Sequence, residues 1–190
     1  MNRPRTLSTL MVVLTAVAAV LVGLVTPAAA AAPYCGITWG SLTKVSTAAD
    51  SEVLTDVRAG RHACFDRLVI DLTGQDNSFR SYDVRYVGQV TEDGSGRVVP
   101  LRGGADLQIV VRAPAYDENG ETYRPGNRAE LVRVNGWTTF RQVAWAGSFE
   151  GQTTLGLGVR ARLPYRVFTL AGAPYSDQGP RLVIDVAHRW

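Results

Sequence analysis

Lysine is nearly missing from this chain. Lys44 is the single lysine among 20 basic residues, and the other nineteen are arginine. A GC-rich genome produces that bias without any function, and so does a surface that grips carboxylates or phosphates with guanidinium forks. Net positive charge is scarce as well. The 20 basic residues stand against 17 acidic ones, and without Arg3 and Arg5 the balance falls to 18 against 17. That balance gives no footprint of a nucleic-acid partner. Metal ligands are few: two cysteines, Cys35 and Cys64, and two histidines, His62 and His188, with no CxxC pair, so no metal site and no cofactor are expected. The Asp117-Glu118-Asn119-Gly120 cluster lacks the alternating ligand spacing of a calcium loop and reads as a solvated turn. Ser148 is no nucleophile elbow, because Ala146 stands where Gly-x-Ser-x-Gly needs its first glycine. No catalytic residue is assigned and an enzyme is not expected. No amphipathic helix of ten residues or more is visible after residue 60, which removes helical bundles and α/β folds from consideration.

One long apolar run exists. Leu10–Val25 follows Arg3 and Arg5 and precedes Thr26-Pro27 and the alanine tract Ala28–Ala32. This is the layout of a cleaved secretory signal over residues 1–32. The run, about 16 residues, is shorter than the roughly 20 that a spanning helix needs, so no membrane span is expected after cleavage. An exported chain with one cysteine pair most simply forms one disulfide, Cys35–Cys64. Closing that loop is worth roughly 3–4 kcal/mol in the chain-entropy account.

What the sequence does contain is strands. The phrase Arg67-Leu68-Val69-Ile70-Asp71 recurs as Arg181-Leu182-Val183-Ile184-Asp185. In each copy alternate residues share a face: Leu68, Ile70 and Leu72 in the first, Leu182, Ile184 and Val186 in the second. The two read as strands of one sheet system. Between them, Tyr82–Val90 and Leu107–Ala113 alternate, and Asp93-Gly94-Ser95-Gly96 signals a hairpin. Residues 114–129 lack apolar periodicity and read as an exposed loop. Glu130–Val134 reads as a strand, Asn135-Gly136 as a type I′ turn, and Trp137–Trp145 as the return strand. Residues 48–57 read as a loop or short helical turn. About eight to ten strands at this spacing predict an all-β antiparallel β-sandwich or partly closed barrel with one N-terminal disulfide.

The strand Thr153–Leu163 carries the candidate site. Leu155, Leu157, Val159, Ala161 and Leu163 take one face; Gly156, Gly158, Arg160 and Arg162 lie on the other. Two glycines in one row leave a shallow groove where a backbone or a ligand comes close. Arg141 and Trp145 share parity on the preceding strand and extend the row. Guanidinium forks beside an aromatic platform suit the carboxylates and sugar rings of a cell-wall polymer. The competing reading has the glycines admit a covering loop, Trp137 and Trp145 sit in the core, and the arginines pair with nearby carboxylates.

The two Arg-Leu-Val-Ile-Asp strands and the β layout between them resemble the AMIN domain, a β-sandwich of exported envelope proteins including N-acetylmuramoyl-L-alanine amidases. The run Gly136–Trp145, with Gly156-Leu157-Gly158-Val159-Arg160 and the ending Asp185–Trp190, resembles more closely the AMIN-like domain of secreted actinobacterial proteins. The resemblance spans about residues 62–190 and implies envelope targeting and peptidoglycan binding. The amidase arrangement adds a catalytic domain, and none is read here. The expected organisation is a signal over 1–32, an extension over 33–61 stapled by the disulfide, and the sandwich over 62–190. The expected function is a secreted, cell-wall-associated, non-catalytic binding module for peptidoglycan or another cell-wall glycan. The alternative is a module that docks an envelope protein partner through an edge strand or the 117–126 loop.

Overall fold

The computed structural model describes residues 32–73, 78–173 and 178–190. The expected signal, apart from Ala32, lies outside the described residues. So do most of the polar turn read at 74–78 and the end of the turn read at 172–174.

Thirteen strands are present among the described residues, and the only helix is a 3-10 turn at Tyr34–Gly36. They are β1 (Lys44–Ser46), β2 (Val53–Arg61), β3 (Phe65–Thr73), β4 (Tyr82–Val87), β5 (Val90–Thr91), β6 (Val98–Val99), β7 (Ala105–Val111), β8 (Tyr116–Asp117), β9 (Gly120–Glu121), β10 (Phe140–Phe149), β11 (Gln152–Val159), β12 (Tyr165–Leu170) and β13 (Arg181–Ala187). A five-stranded sheet runs β1-β4-β7-β11-β10 and a four-stranded sheet β12-β13-β3-β2, with ribbons β5-β6 and β8-β9 beside them. Every pairing is antiparallel, and no sheet closes on itself. The fold is a β-sandwich.

The repeated phrase explains the centre of the four-stranded sheet. Its two copies are neighbours, and antiparallel pairing matches Arg67 with Asp185, Leu68 with Ile184, Val69 with Val183, Ile70 with Leu182 and Asp71 with Arg181. A five-residue phrase with Arg at one end and Asp at the other is complementary to its own reversed copy. Each cation therefore faces an anion across the ladder, an arrangement that favours this register over a slipped one. Leu68, Ile70, Leu182, Ile184 and Val186 point inward and are fully buried. They meet Ile109, Leu155, Leu157 and Val159 of the other sheet in one core, with Tyr165, Phe79 and Phe140 as its largest fully buried members.

Several local expectations change. Residues 33–61 do not stand apart as an extension: β1 belongs to one sheet and β2 to the other. Residues 53–57, read as a loop or helical turn, begin β2 because Leu54 and Val57 bury their side chains in the core. The staple itself is present as the Cys35–Cys64 disulfide. Residues 130–134 form no strand. Their contact with the sheet is the Leu131 N–H donating to the Val143 carbonyl, with Val134 buried below. Asn135-Gly136 turns, but only Gly136 has positive φ (+75°), so this is not the type I′ turn that needs two such residues. The tight turn falls instead at Glu150-Gly151, where both have positive φ (+48° and +81°), joining β10 to β11.

Candidate functional site

The expected glycine groove is filled by the chain itself. Ribbon β5-β6 and the segment after it fold over the outer face of the five-stranded sheet. A Cβ on Gly158 would lie 2.1 Å from the Arg102 carbonyl oxygen, and one on Gly156 would lie 3.0 Å from a Leu101 methyl. The segment is tied down on both sides. The Gln142 side chain accepts from the Arg102 N–H (2.8 Å) and the Gly104 N–H donates to the Val159 carbonyl (2.8 Å). The Thr154 hydroxyl donates to Asp93 (2.6 Å). The glycines thus serve a close backbone approach, and the β11 strand is buried on both faces.

The other expected site residues are separated. β11 stops at Val159, so Arg160 and Arg162 do not continue its alternation. Arg160 donates to the His188 carbonyl (2.6 Å). Arg162 lies over the Tyr86 ring (5.1 Å) and donates to the Ser41 carbonyl (3.2 Å). On β10, register puts Gln142 and Ala144 opposite the glycines, whereas Trp145 faces Leu155 on the core side. Arg141 is the extra residue of a bulge between Phe140 and Gln142, and its guanidinium is spent on the carbonyls of Trp137 (2.8 Å) and Phe140 (3.0 Å). The joint site of Arg141, Trp145, Gly156, Gly158, Arg160 and Arg162 is therefore not assembled.

One of those residues leads to a different cleft. Trp145 lines a cavity of about 560 Å³ together with Tyr116, Tyr123, Phe149, Arg124 and Arg128. Tyr123 packs on the Trp145 indole with ring centroids 5.6 Å apart. Phe149, half exposed at the end of β10, rests against Gly94 of the 93–96 turn. Tyr116 projects from the two-residue hairpin β8-β9, whose tip is shaped by the Asn119 N–H donating to Asp117 (2.7 Å). Its hydroxyl accepts from the Gly151 N–H (3.2 Å), which fixes the hairpin against the β10-β11 turn. Burial pushes the Tyr123 phenol above its ordinary pKa, so it stays a neutral donor and acceptor at physiological pH.

The rim of this cleft is charged. Arg124 is highly exposed, with Glu121 as a loose partner at 3.7 Å. Arg128 reaches Glu92 at 3.2 Å. Glu92 also accepts from Arg97 and Ser95, and these bonds, the one from Arg97 first, hold its carboxyl below the usual range. The cleft residues Tyr116, Tyr123, Arg124, Arg128 and Phe149 were missed at the level of sequence because four of the five fall in the stretch without periodicity. The available signal was composition: two tyrosines and two arginines within 116–128.

A second cluster joins both histidines. His62, His188, Asp66, Arg61, Ala63 and Thr138 line a cavity of about 410 Å³. Asp66 is fully buried; it accepts the Thr139 (2.7 Å) and Phe140 (2.9 Å) N–H groups and lies 3.2 Å from His188 Nε2. Among the described residues, no three His, Cys, Asp or Glu side chains converge as metal ligands.

The AMIN-like domain family matches residues 52–188, and the chain belongs to that family. Membership makes it a cell-envelope-associated module. No curated protein and no solved structure matches it. Among the described residues, no helix is long and apolar enough to cross a membrane.

Proposed function

We propose that this protein is a secreted, non-catalytic module that holds a cell-wall glycan, peptidoglycan foremost, in the cleft walled by Tyr116, Tyr123, Trp145 and Phe149. The observation that carries this is the cleft itself: four aromatic rings around about 560 Å³, rimmed by Arg124 and Arg128. That volume lies inside the range of about 300–1,000 Å³ typical of small-ligand sites. Apolar ring faces take the C–H faces of sugars, and guanidinium groups take carboxylates or hydroxyls. The non-catalytic part is supported by the histidine cavity. Asp66 is committed to two backbone N–H groups and His188, and Cys64, next to that cavity, is held in the disulfide.

The test is cosedimentation of the purified oxidised protein with peptidoglycan sacculi. A Tyr116→Ala/Phe149→Ala double variant removes two exposed rings and should abolish saturable binding while the protein still unfolds cooperatively. An Arg160→Ala/Arg162→Ala variant should bind as wild type does. Absence of wild-type binding would overturn the glycan reading.

A second reading has its own observation. Val45, 58% exposed, lies on β1, which among the described residues is an edge strand of the five-stranded sheet, and Leu42, 74% exposed, lies two residues before it. Apolar side chains beside an unpaired strand edge suit an envelope protein partner that adds a strand.

A further inference from the structure

The aromatic cleft has an apolar neighbour. A smaller cavity of about 240 Å³ is walled by Val98, Val99, Pro100 and Ala129. Trp145 and Arg128 line both cavities. The smaller one falls below the size of a site for a whole ligand, so it suits a substituent rather than a second molecule. Val98 is 45% exposed there, an apolar side chain on a two-residue strand beside open space.

The polar groups around it are sorted by what already occupies them. Gln142 is spent, accepting from the Arg102 N–H and donating to the Ala129 carbonyl (both 2.8 Å). It forms wall and offers nothing to a ligand. Arg97 and Arg128 are different: both are largely exposed, and both lean on the single carboxylate of Glu92. The Arg128 backbone is anchored, since its carbonyl accepts from the Trp145 N–H (2.7 Å), while its side chain holds Glu92 at 3.2 Å, a longer contact than the 2.8 Å of Arg97. The ridge between the cavities is therefore a fixed backbone with a displaceable guanidinium.

From this we infer a bipartite site for an N-acylated sugar pair. One ring lies in the aromatic cleft. The acetamido group of the adjoining sugar enters the small pocket, its methyl against Val98, Val99 and Pro100 and its carbonyl accepting from Arg97 or Arg128. The inference rests on the sugar-binding reading above and adds the requirement for an acyl group.

The test uses three sugars, N-acetylglucosamine, N,N′-diacetylchitobiose and cellobiose, titrated into the full protein by calorimetry and by methyl and aromatic NMR. Cellobiose keeps the linkage and lacks the acetamido groups. Diacetylchitobiose should bind about tenfold or more tightly than either of the others. It should shift Val98 and Val99 methyl signals together with those of Tyr116 and Phe149. A Val98→Asp variant should bind diacetylchitobiose only as tightly as wild type binds cellobiose. Equal binding of diacetylchitobiose and cellobiose, with shifts confined to the aromatic cleft, overturns the bipartite site and leaves the sugar reading standing. No shift with any of the three overturns the bipartite site too, and sacculus cosedimentation then decides the wider reading separately.

Discussion

The two sheets of the sandwich treat their outer faces in opposite ways. On the five-stranded sheet, Gly156 and Gly158 remove the side chains from the middle of the face, and residues 90–104 descend onto the bare backbone. On the four-stranded sheet no glycine row exists, and the face carries its own charged lid. Asp185 is fully buried beneath Arg67 and Arg166, which it accepts at 2.6–2.8 Å. Both guanidiniums lie over Phe168 and Phe65, and Trp39 covers Arg166 at 4.5 Å. The first face is sealed by shape and the second by paired charge stacked on rings. Even within the second face the two ends of the ladder differ. Asp71 faces Arg181 in register yet binds Arg58, and Arg181 Nε is buried with no partner among the described residues.

The sharpest way to break this contrast is Gly158→Ala. Its new methyl would meet the Arg102 carbonyl, a backbone atom that cannot step aside, so the covering segment must lift. The expected loss is about 3 kcal/mol or more, read from urea midpoints. Gly156→Ala should cost only about 1 kcal/mol, because Leu101 methyls can rotate away. Next comes Asp185→Ala, which leaves Arg67 and Arg166 facing each other without their anion. Their side chains are 25% and 41% exposed, so water relieves part of the penalty, and about 2–3 kcal/mol is expected.

A third test probes the seam between the sheets. The Tyr86 hydroxyl donates to the Leu163 carbonyl (2.9 Å) and accepts the Leu163 N–H (3.0 Å). Burial, the leading cause, pushes its pKa from 10.0 up to about 12. A raised phenol pKa stabilises the fold fully below pH 10, and that contribution fades as pH climbs toward 12. Wild type should therefore lose about 1–2 kcal/mol across that interval, and a Tyr86→Phe variant should lose less. The smallest effect is Arg58→Ala. Arg58 is half exposed beside Asp71, so its removal should change stability by less than about 1 kcal/mol, measurable by the same urea titrations.

Much of the fold was legible because strands write a period of two into the chain. The inward faces of β3 and β13 follow from alternation together with the Arg and Asp that mark the opposite face, and the disulfide follows from the single pair of cysteines. The candidate site was not legible in the same way. Trp145 was identified by type but assigned to the wrong face, since a period of two gives two faces and does not say which one meets the core. Arg141 dropped out through a bulge, an inserted residue that alternation cannot count. The aromatic cleft gathers residues 93, 116–128 and 145–149, which no local pattern connects.

By itself the sequence determined that this protein is an all-β antiparallel fold, sandwich or partly closed barrel, with one disulfide, and that its repeated Arg-Leu-Val-Ile-Asp phrase can pair with itself; the open sheets of the structure made it a sandwich. Hydrophobic alternation and turn chemistry are local properties, and they act before any distant contact forms. Only the tertiary structure decided what covers each face. Whether the glycine row admits a ligand or a chain depends on where residues 90–104 return. Whether the aromatics of 116–149 scatter or converge depends on how two short hairpins dock. Both are contacts between residues far apart in sequence, settled by close packing and by the demand that buried polar groups be paired.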